Sequence, residues 1–295
     1  MKKYIQLLRV HHYIKNLLVF SAIIFGSQLF SLDKLGSVII AFFSFCFSSS
    51  FVYIFNDIRD ADNDRNHPQK RNRPIAANKI SVKRAVIIAC ICLLISSILM
   101  LLSFNLTALL LWAAYIILNI LYSIGLKNYP LVDVCILVSG FLIRIMYGAV
   151  VSDIAISDWL YLTVISLSFF FALGKRRNEY KQIGNTDTRR SLSGYTWGFL
   201  DKSMYMCLTL ANVFYALWSV GESTISRYHG NRIVFSVPIV LLISLKYSHN
   251  IEKDDSDGDP VEVLLHDRTL IILCLVYIMI MMCILYSEKI IPGIQ

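Results

Sequence analysis

The segment Tyr53-Ile-Phe-Asn-Asp-Ile-Arg-Asp-Ala-Asp-Asn-Asp64 stands where a long apolar stretch of this 295-residue chain ends. Asn56, Asp60 and Asp64 recur at intervals of four residues, so on a helix one amide and two carboxylates project from the same face. Oxygen ligands grouped in this way at a membrane boundary suit a hard divalent cation such as Mg²⁺. The spacing therefore predicts Asn56, Asp60 and Asp64 as metal ligands.

Basic residues follow the acidic segment at once, among them Arg65, Lys70 and Arg73. A metal beside a basic cluster is a common way to hold a diphosphate, because the metal bridges phosphate oxygens and the cations neutralise the rest. A solvated polar loop is the alternative interpretation. Closely spaced carboxylates repel one another unless a cation joins them, and we therefore favour a diphosphate site.

The composition predicts that the chain lies in a membrane. Hydrophobic residues make up 56% of the sequence and charged residues only 16%. Apolar runs of about 17–25 residues are typical of membrane-spanning helices. We predict nine of them, at about 16–32, 36–55, 81–103, 106–124, 131–151, 158–174, 203–221, 232–248 and 269–287. The predicted fold class is all-α, a polytopic bundle forming a single domain over residues 1–295.

The distribution of Lys and Arg predicts the orientation of this bundle. With a cytoplasmic N-terminus, 23 of the 28 Lys and Arg residues fall on the inner side, which is the bias found in membrane proteins. The C-terminus is then extracytoplasmic. The larger inner loops are 56–80, 175–202 and 246–268, so an active site would open to the cytoplasm. The net charge of +8 records this bias, and we predict no nucleic-acid partner.

The acidic segment and its basic continuation resemble the UbiA superfamily of intramembrane prenyltransferases. The resemblance rests on Asn-Asp-x-x-Asp-x-x-x-Asp at 56–64 and on Asp64-Arg65-x-x-Pro68-x-Lys70-x-x-Arg73-Pro74. It implies a nine-helix bundle with a Mg²⁺-dependent site on the cytoplasmic side.

One departure from the common family pattern narrows the resemblance. UbiA prenyltransferases typically carry a second aspartate-rich motif after the sixth helix, where this chain has the basic run Leu173-Gly-Lys-Arg-Arg-Asn-Glu179. Other segments are similar to the polyprenyl-phosphate phosphoribosyltransferase branch. They are 9–16, 122–127, 133–144, 174–177, 191–195, 258–262 and 267–268. This resemblance implies phosphoribosyl diphosphate as donor and a polyprenyl phosphate as acceptor.

Several residues outside the acidic segment are candidate phosphate ligands. Lys15 and Lys127 flank predicted spans and could be ordinary interfacial anchors, but the resemblance implies phosphate binding. Arg144 lies within a span, where a charge is costly unless it faces a polar cavity. The alternative to phosphate binding is a structural ion pair between helices. Asp133 lies on a similar helix face and is one possible partner for Arg144.

Four further residues complete the predicted substrate site. Tyr53 lies one turn before Asn56, so its hydroxyl could reach the donor, although an interfacial aromatic anchor is the alternative. The consecutive cations Lys175, Arg176 and Arg177 end the sixth predicted span. They either contribute a phosphate ligand or only enforce the topology.

These observations favour a lipid-linked phosphoribosyltransferase in which Asp60, Asp64 and Arg144 carry the catalysis. A prenyltransferase that moves an isoprenyl group from its diphosphate to an aromatic acceptor is the alternative enzyme. A transporter or a non-catalytic membrane protein is the third hypothesis. Homo-oligomer formation stays open.

Overall fold

The structure is a computed structural model and describes residues 2–66, 70–103, 105–181, 190–252 and 260–286. Parts of the three predicted inner loops therefore lie outside the described residues, as does the end of the chain. The chain divides into two compact units, Met1–Ala155 and Ile156–Gln295. The prediction of one domain over the whole chain stays a prediction.

The first unit is helical throughout its regular structure. Its α-helices are α1 (Lys2–Leu8), α2 (Ser21–Phe25), α3 (Leu32–Arg59), α4 (Ala61–Arg65), α5 (Val82–Leu102), α6 (Leu106–Ile124) and α7 (Val132–Ser152). Three 3-10 helices join them, Val10–Phe20, Lys70–Asn72 and Leu126–Asn128. The long helix α3 ends at the acidic segment, so its C-terminal turn carries Asn56 and Asp57.

Helix α3 is the centre of the first unit, because it packs against α5, α6, α7 and the 3-10 helix Val10–Phe20. Phe45 and Tyr147 lie in the buried core that these helices share. Gly148 lets α7 approach Val10–Phe20 closely, since a Cβ at this position would stand 1.9 Å from the carbonyl oxygen of Val19. The elements that carry Lys15, Lys127 and Arg144 are thereby tied to α3 or α7.

Buried hydroxyl groups also join α3 to its neighbours. Ser44 and Ser96 each donate to the other's backbone carbonyl, at 3.0 and 2.9 Å. The indole nitrogen of Trp112 donates to Ser48 and Ser96 at 2.9 Å. Interhelical hydrogen bonds of this kind stabilise helix packing in a membrane, where no water competes.

The second unit contains the remaining long helices. They are α8 (Asp158–Lys181), α9 (Trp197–Val220), α11 (Val237–Ile251) and α13 (Arg268–Leu285). Shorter elements connect them: the 3-10 helices Arg190–Gly194 and Arg232–Ser236, α10 (Glu222–Arg227) and α12 (Pro260–His266). Helix α8 packs along α9, and α11 packs against α9 and α13.

The described residues include eight helices that are long and apolar enough to cross a membrane. They correspond to the last eight predicted segments. The first predicted segment, 16–32, instead falls on the shorter apolar stretch Val10–Phe25, which is 3-10 helical up to Phe20. The all-helical prediction is confirmed for the described residues, whereas the count of nine spans stays a prediction.

Candidate active site

The acidic segment splits into two groups of contacts. Asp57 and Asp64 are buried, with 2% and 5% of their surface exposed. Arg73 Nη1 contacts Asp57 Oδ1 at 3.1 Å and Asp64 Oδ2 at 2.7 Å. Arg9 Nη2 contacts the same Asp57 oxygen at 2.6 Å. This four-residue ion cluster binds the end of α1 and the loop after α4 to the end of α3.

Asn56 and Asp60 form the second group, together with Lys127. Asn56 Nδ2 donates to Asp60 Oδ2 at 3.0 Å, and the ammonium of Lys127 pairs with Asp60 Oδ1. Asn56 Oδ1 is buried and has no hydrogen-bond partner among the described residues. An unsatisfied buried oxygen is costly unless a ligand supplies a positive partner. Asn56 and Asp60 therefore fit a hard cation, which takes oxygen ligands.

The predicted trio of ligands is only partly assembled. Asn56 and Asp60 contact each other, but the carboxylate of Asp64 contacts Arg73. The physical reason is that α3 ends at Arg59 and the short helix α4 begins only after Asp60, so the acidic segment is not one straight helix. Among the residues that the structure describes, no group of three or more His, Cys, Asp or Glu side chains could hold a metal.

An aromatic and basic layer lies beside these groups. The guanidinium of Arg9 stands 4.7 Å from the ring centre of Tyr53, and the ring of His12 lies 5.3 Å from the same ring. Arg9 adopts a left-handed backbone, with φ of 51°, between α1 and the 3-10 helix. Tyr53 thus stacks on an arginine that is bound to Asp57.

The predicted phosphate ligands near the acidic segment differ in exposure. The side chain of Arg65 is 45% exposed and binds Asp62 at 2.6 Å, with a longer hydrogen bond of 3.4 Å to Asn78. Lys15 and Lys70 are half-buried. The contacts of Arg65 thus lie on the exposed side of α4, away from Asp57 and Asp64.

Arg144 lies deeper in the first unit and is 6% exposed. Its Nε donates to Asn16 Oδ1 at 2.7 Å and its Nη1 to the Gly140 carbonyl at 2.6 Å. Its Nη2 donates to Tyr115 Oη at 3.0 Å and to Ser49 Oγ at 3.3 Å. In the described part of the chain no carboxylate contacts this guanidinium, so the alternative of an ion pair with Asp133 finds no support.

Sequence reasoning missed Arg9, Asn16, Ser49 and Tyr115. Arg9 and Asn16 both lie in the segment 9–16 that carries part of the family resemblance. A cation within a span needs hydrogen-bond acceptors nearby, and this requirement could have directed the search to polar residues on the other apolar helices. It could not have chosen among them, because the contacts of Arg144 lie 29 to 128 positions away in sequence, apart from Gly140.

The two arginines of the basic run contact carboxylates within the second unit. Arg177 Nε contacts Asp201 at 2.8 Å, and its Nη2 contacts both Glu252 oxygens at 2.8 and 2.9 Å. Burial alone would raise the pKa of Glu252, but hydrogen bonds from Arg177 and Tyr205 outweigh it and hold that pKa below its usual value. Arg176 is 1% exposed and contacts Glu179, whereas Lys175 is half-buried.

Comparison with known proteins identifies the family. The model of the UbiA prenyltransferase family matches residues 17–266. This chain belongs to the UbiA prenyltransferase family. It is a multi-pass integral membrane protein, as the eight long apolar helices and the family membership together indicate.

Three similar proteins carry the same enzyme name. A protein of Corynebacterium glutamicum, named decaprenyl-phosphate phosphoribosyltransferase, is 34% identical over 98% of this chain and 87% of its own length. Its namesake in Mycolicibacterium smegmatis is 35% identical over 93% of this chain and 89% of its own length. A third namesake, from Mycobacterium tuberculosis, is 30% identical over 93% of this chain and 91% of its own length.

Solved structures confirm the UbiA fold. A UbiA homologue from Archaeoglobus fulgidus, bound to DMAPP and Mg²⁺, matches with a TM-score of 0.72 and 19% identity, covering 96% of this chain and 99% of its own. The same homologue bound to GPP and Mg²⁺ matches with a TM-score of 0.71 and 20% identity, at the same coverage. That homologue therefore binds Mg²⁺ together with DMAPP or with GPP.

Proposed function

We propose that this chain transfers the 5-phosphoribosyl group of phosphoribosyl diphosphate to a polyprenyl phosphate. The observation that carries the proposal is the set of relatives named decaprenyl-phosphate phosphoribosyltransferase, at 30% to 35% identity over 93% to 98% of this chain. The likeness extends over 87% to 91% of the relatives' own length.

Asn56 and Asp60 are the residues that we assign to a Mg²⁺ ion. Within the described part of the chain the buried Asn56 Oδ1 lacks a hydrogen-bond partner. Asp60 is bound by Lys127, whose flexible side chain could move away to admit a metal. When bound, the metal would neutralise the diphosphate leaving group. Lys127 then lies beside the same diphosphate, where its ammonium would bind a phosphate oxygen.

Asp64 and Arg73 receive a different role from the one that the sequence predicted. Arg73 Nη1 forms an ion pair with Asp64 Oδ2 at 2.7 Å, and the same nitrogen also contacts Asp57 Oδ1. We assign them to fixing the end of α3 and the loop 70–80 relative to Asn56 and Asp60. Lys15, Lys70, Tyr53 and the exposed Arg65 stay predicted substrate ligands.

The proposed reaction needs no general base. An oxygen of the lipid phosphate, already anionic, forms a bond to the anomeric carbon of the ribose. The bond from that carbon to the diphosphate oxygen breaks, and the diphosphate leaves with the electron pair. Charge develops as in other glycosyl transfers, through a transition state resembling an oxocarbenium ion. The protein contributes by positioning the substrates, neutralising the leaving group and excluding water.

In the second unit we assign Arg176 and Arg177 to holding helix ends. Arg177 joins α8 to Asp201 of α9 and to Glu252 after α11, and its guanidinium lies 4.3 Å from the ring centre of Trp197. Because two carboxylates already neutralise this guanidinium, its net attraction for a phosphate is small. Of the predicted basic run, Lys175 remains the candidate phosphate ligand.

We infer a cytoplasmic N-terminus and an extracytoplasmic C-terminus from the distribution of Lys and Arg. Single cysteines at the exposed positions Arg71 and Ser226 test this inference, in a background that lacks the seven native cysteines. An impermeant thiol reagent added to intact cells should label position 226 and leave position 71 unlabelled. The opposite pattern would reverse the orientation.

A donor competition assay tests the proposed reaction. Purified protein in lipid nanodiscs receives labelled phosphoribosyl diphosphate and a polyprenyl phosphate, or an isoprenyl diphosphate and an aromatic acceptor. We expect a labelled lipid product from the first pair, dependent on Mg²⁺, and none from the second. Consumption of the isoprenyl diphosphate, with phosphoribosyl diphosphate ignored, would replace the proposal with a prenyltransferase.

A further inference from the structure

The surroundings of Arg144 hold a positive charge without neutralising it. The contacts of its guanidinium are all neutral oxygens, from Asn16, Ser49, Tyr115 and the Gly140 carbonyl. The ring of Tyr115 adds a cation–π contact at 4.8 Å. Throughout the described ranges, no Asp or Glu contacts Arg144. The cluster therefore carries a net charge of about one in a site of low dielectric.

Asn16 occupies the place where a carboxylate would cancel this charge. It is 0% exposed, and its Oδ1 accepts from Arg144 Nε at 2.7 Å and from Ser49 Oγ at 3.2 Å. Its Nδ2 donates to Cys46 Sγ at 3.4 Å, which fixes the orientation of the amide. An aspartate has the same shape and would form a buried ion pair with the guanidinium.

A lone buried cation is costly, and such residues in membrane spans mark functional sites by default. Arg144 binds α3 at Ser49, eleven residues before Asp60, so it lies about 16 Å deeper along that helix. At this separation its charge would attract an anion bound between the two levels, because Coulomb attraction is weakly screened away from water.

We propose that Asn16 is a positioning residue that holds Arg144 with its charge uncancelled, so that the guanidinium attracts a phosphate of one substrate. The inference rests on the proposed function, in which both substrates carry phosphates. The phosphate is either the acceptor's or the 5-phosphate of the donor, and the kinetic arms of the test separate the two.

The test compares Asn16→Asp with the wild-type protein in the phosphoribosyl-transfer assay. Neutralising the guanidinium should lower kcat/KM by on the order of a hundredfold, the lower end of the loss that removal of one preorganised electrostatic contact commonly causes. The unfolding temperature should stay unchanged or rise, because an ion pair forms. A rise in KM for the lipid phosphate alone assigns the attraction to the acceptor, and a rise for phosphoribosyl diphosphate alone assigns it to the donor.

Other variants separate the charge from packing. Arg144→Met should show the same loss as Asn16→Asp, and the double variant should be no worse than either, because both remove one effect. Asn212→Asp is the matched control. It places a carboxylate in the span of α9, where the Asn212 side-chain oxygen accepts a hydrogen bond from Ser244, and it should keep kcat/KM within about twofold.

Wild-type kinetics in a folded Asn16→Asp protein would overturn the inference. If Asn16→Asp does not fold, Ser49→Asp supplies the same carboxylate, and a folded Ser49→Asp protein with normal kcat/KM overturns it equally. If neither variant folds, a folded Arg144→Met protein with normal kcat/KM would overturn the inference. A wild-type protein that transfers no phosphoribosyl group contradicts the proposed function itself, which is a separate failure.

Discussion

Two charged regions of the first unit differ in whether carboxylates contact their basic side chains. At the end of α3, Arg9, Arg73 and Lys127 each contact a carboxylate of the acidic segment. About two helical turns deeper than Asn56, Arg144 is held by neutral oxygens alone within the described residues. The comparison teaches that protein cations neutralise the acidic segment, whereas no carboxylate of the described residues neutralises Arg144.

The ligands that we propose for the two regions would account for this difference. In a site that binds a metal and a diphosphate, protein cations can pair with the carboxylates while the metal is absent. The metal can later displace a mobile ammonium. Burial makes an unpaired carboxylate costly, which explains why Asp57 and Asp64 retain arginine partners. A site that attracts a single phosphate needs a net positive charge, and a carboxylate there would cancel it.

The largest expected effect belongs to Asp60→Asn. Loss of this anionic ligand should lower Mg²⁺-dependent turnover by on the order of 10²–10³ while the helical fold stays intact. Turnover across a magnesium titration, with unfolding temperature as a control for folding, measures it. Asp62→Asn is the matched control, since the Asp62 side chain is 91% exposed. Near-normal turnover of folded Asp60→Asn would remove Asp60 from the site.

Asp64→Asn should act on stability rather than on the metal. Losing a charged hydrogen bond to Arg73 in a buried cluster costs about 2 kcal/mol in the free energy of unfolding. Binding of Mn²⁺, followed by electron paramagnetic resonance, should remain close to that of the wild-type protein. If Asp64→Asn instead loses Mn²⁺ as completely as Asp60→Asn, then Asp64 is the metal ligand that the sequence predicted.

Lys127→Met should tighten Mn²⁺ binding in the absence of diphosphate. The ammonium of Lys127 occupies Asp60 Oδ1, so a metal must compete with it. Couplings between such ligands are typically worth about 5- to 150-fold, and we expect a roughly tenfold lower Kd. Lys83→Met is the control, because it removes one exposed positive charge from the start of α5. Unchanged or weaker binding would show that Lys127 does not compete for this carboxylate.

The smallest expected effect is that of Tyr115→Phe in the deeper region. It removes the hydroxyl that accepts from Arg144 Nη2 at 3.0 Å, while Asn16 still holds Nε. Hydrogen bonds within membrane helices are worth about 1 kcal/mol, so the free energy of unfolding should fall by about that amount. Turnover should change by less than about fivefold. A loss as large as that of Arg144→Met would make Tyr115 a ligand in its own right.

The fold was predictable because its signals are local. Eight of the nine predicted apolar segments match long helices in the described residues, since length and hydropathy are properties of a continuous stretch. The first segment differed: it is 3-10 helical over Val10–Phe20, and Val19 of this helix lies in close contact with Gly148 of α7. That contact joins positions far apart in sequence, so no periodicity of a single segment reveals it.

The sequence by itself determined the all-helical membrane fold, the family and the placement of Asn56 and Asp60 one helical turn apart. Only the tertiary structure decided which charges neutralise one another, because ion pairs depend on distances between helices. It placed Arg73 on Asp57 and Asp64, Lys127 on Asp60, and Asn16 on Arg144. Each of these contacts joins residues from separate segments of the chain. An aspartate and an asparagine have nearly the same shape, so either could pack against Arg144. The sequence pattern therefore shows that charges are present, and packing decides which of them stay uncancelled.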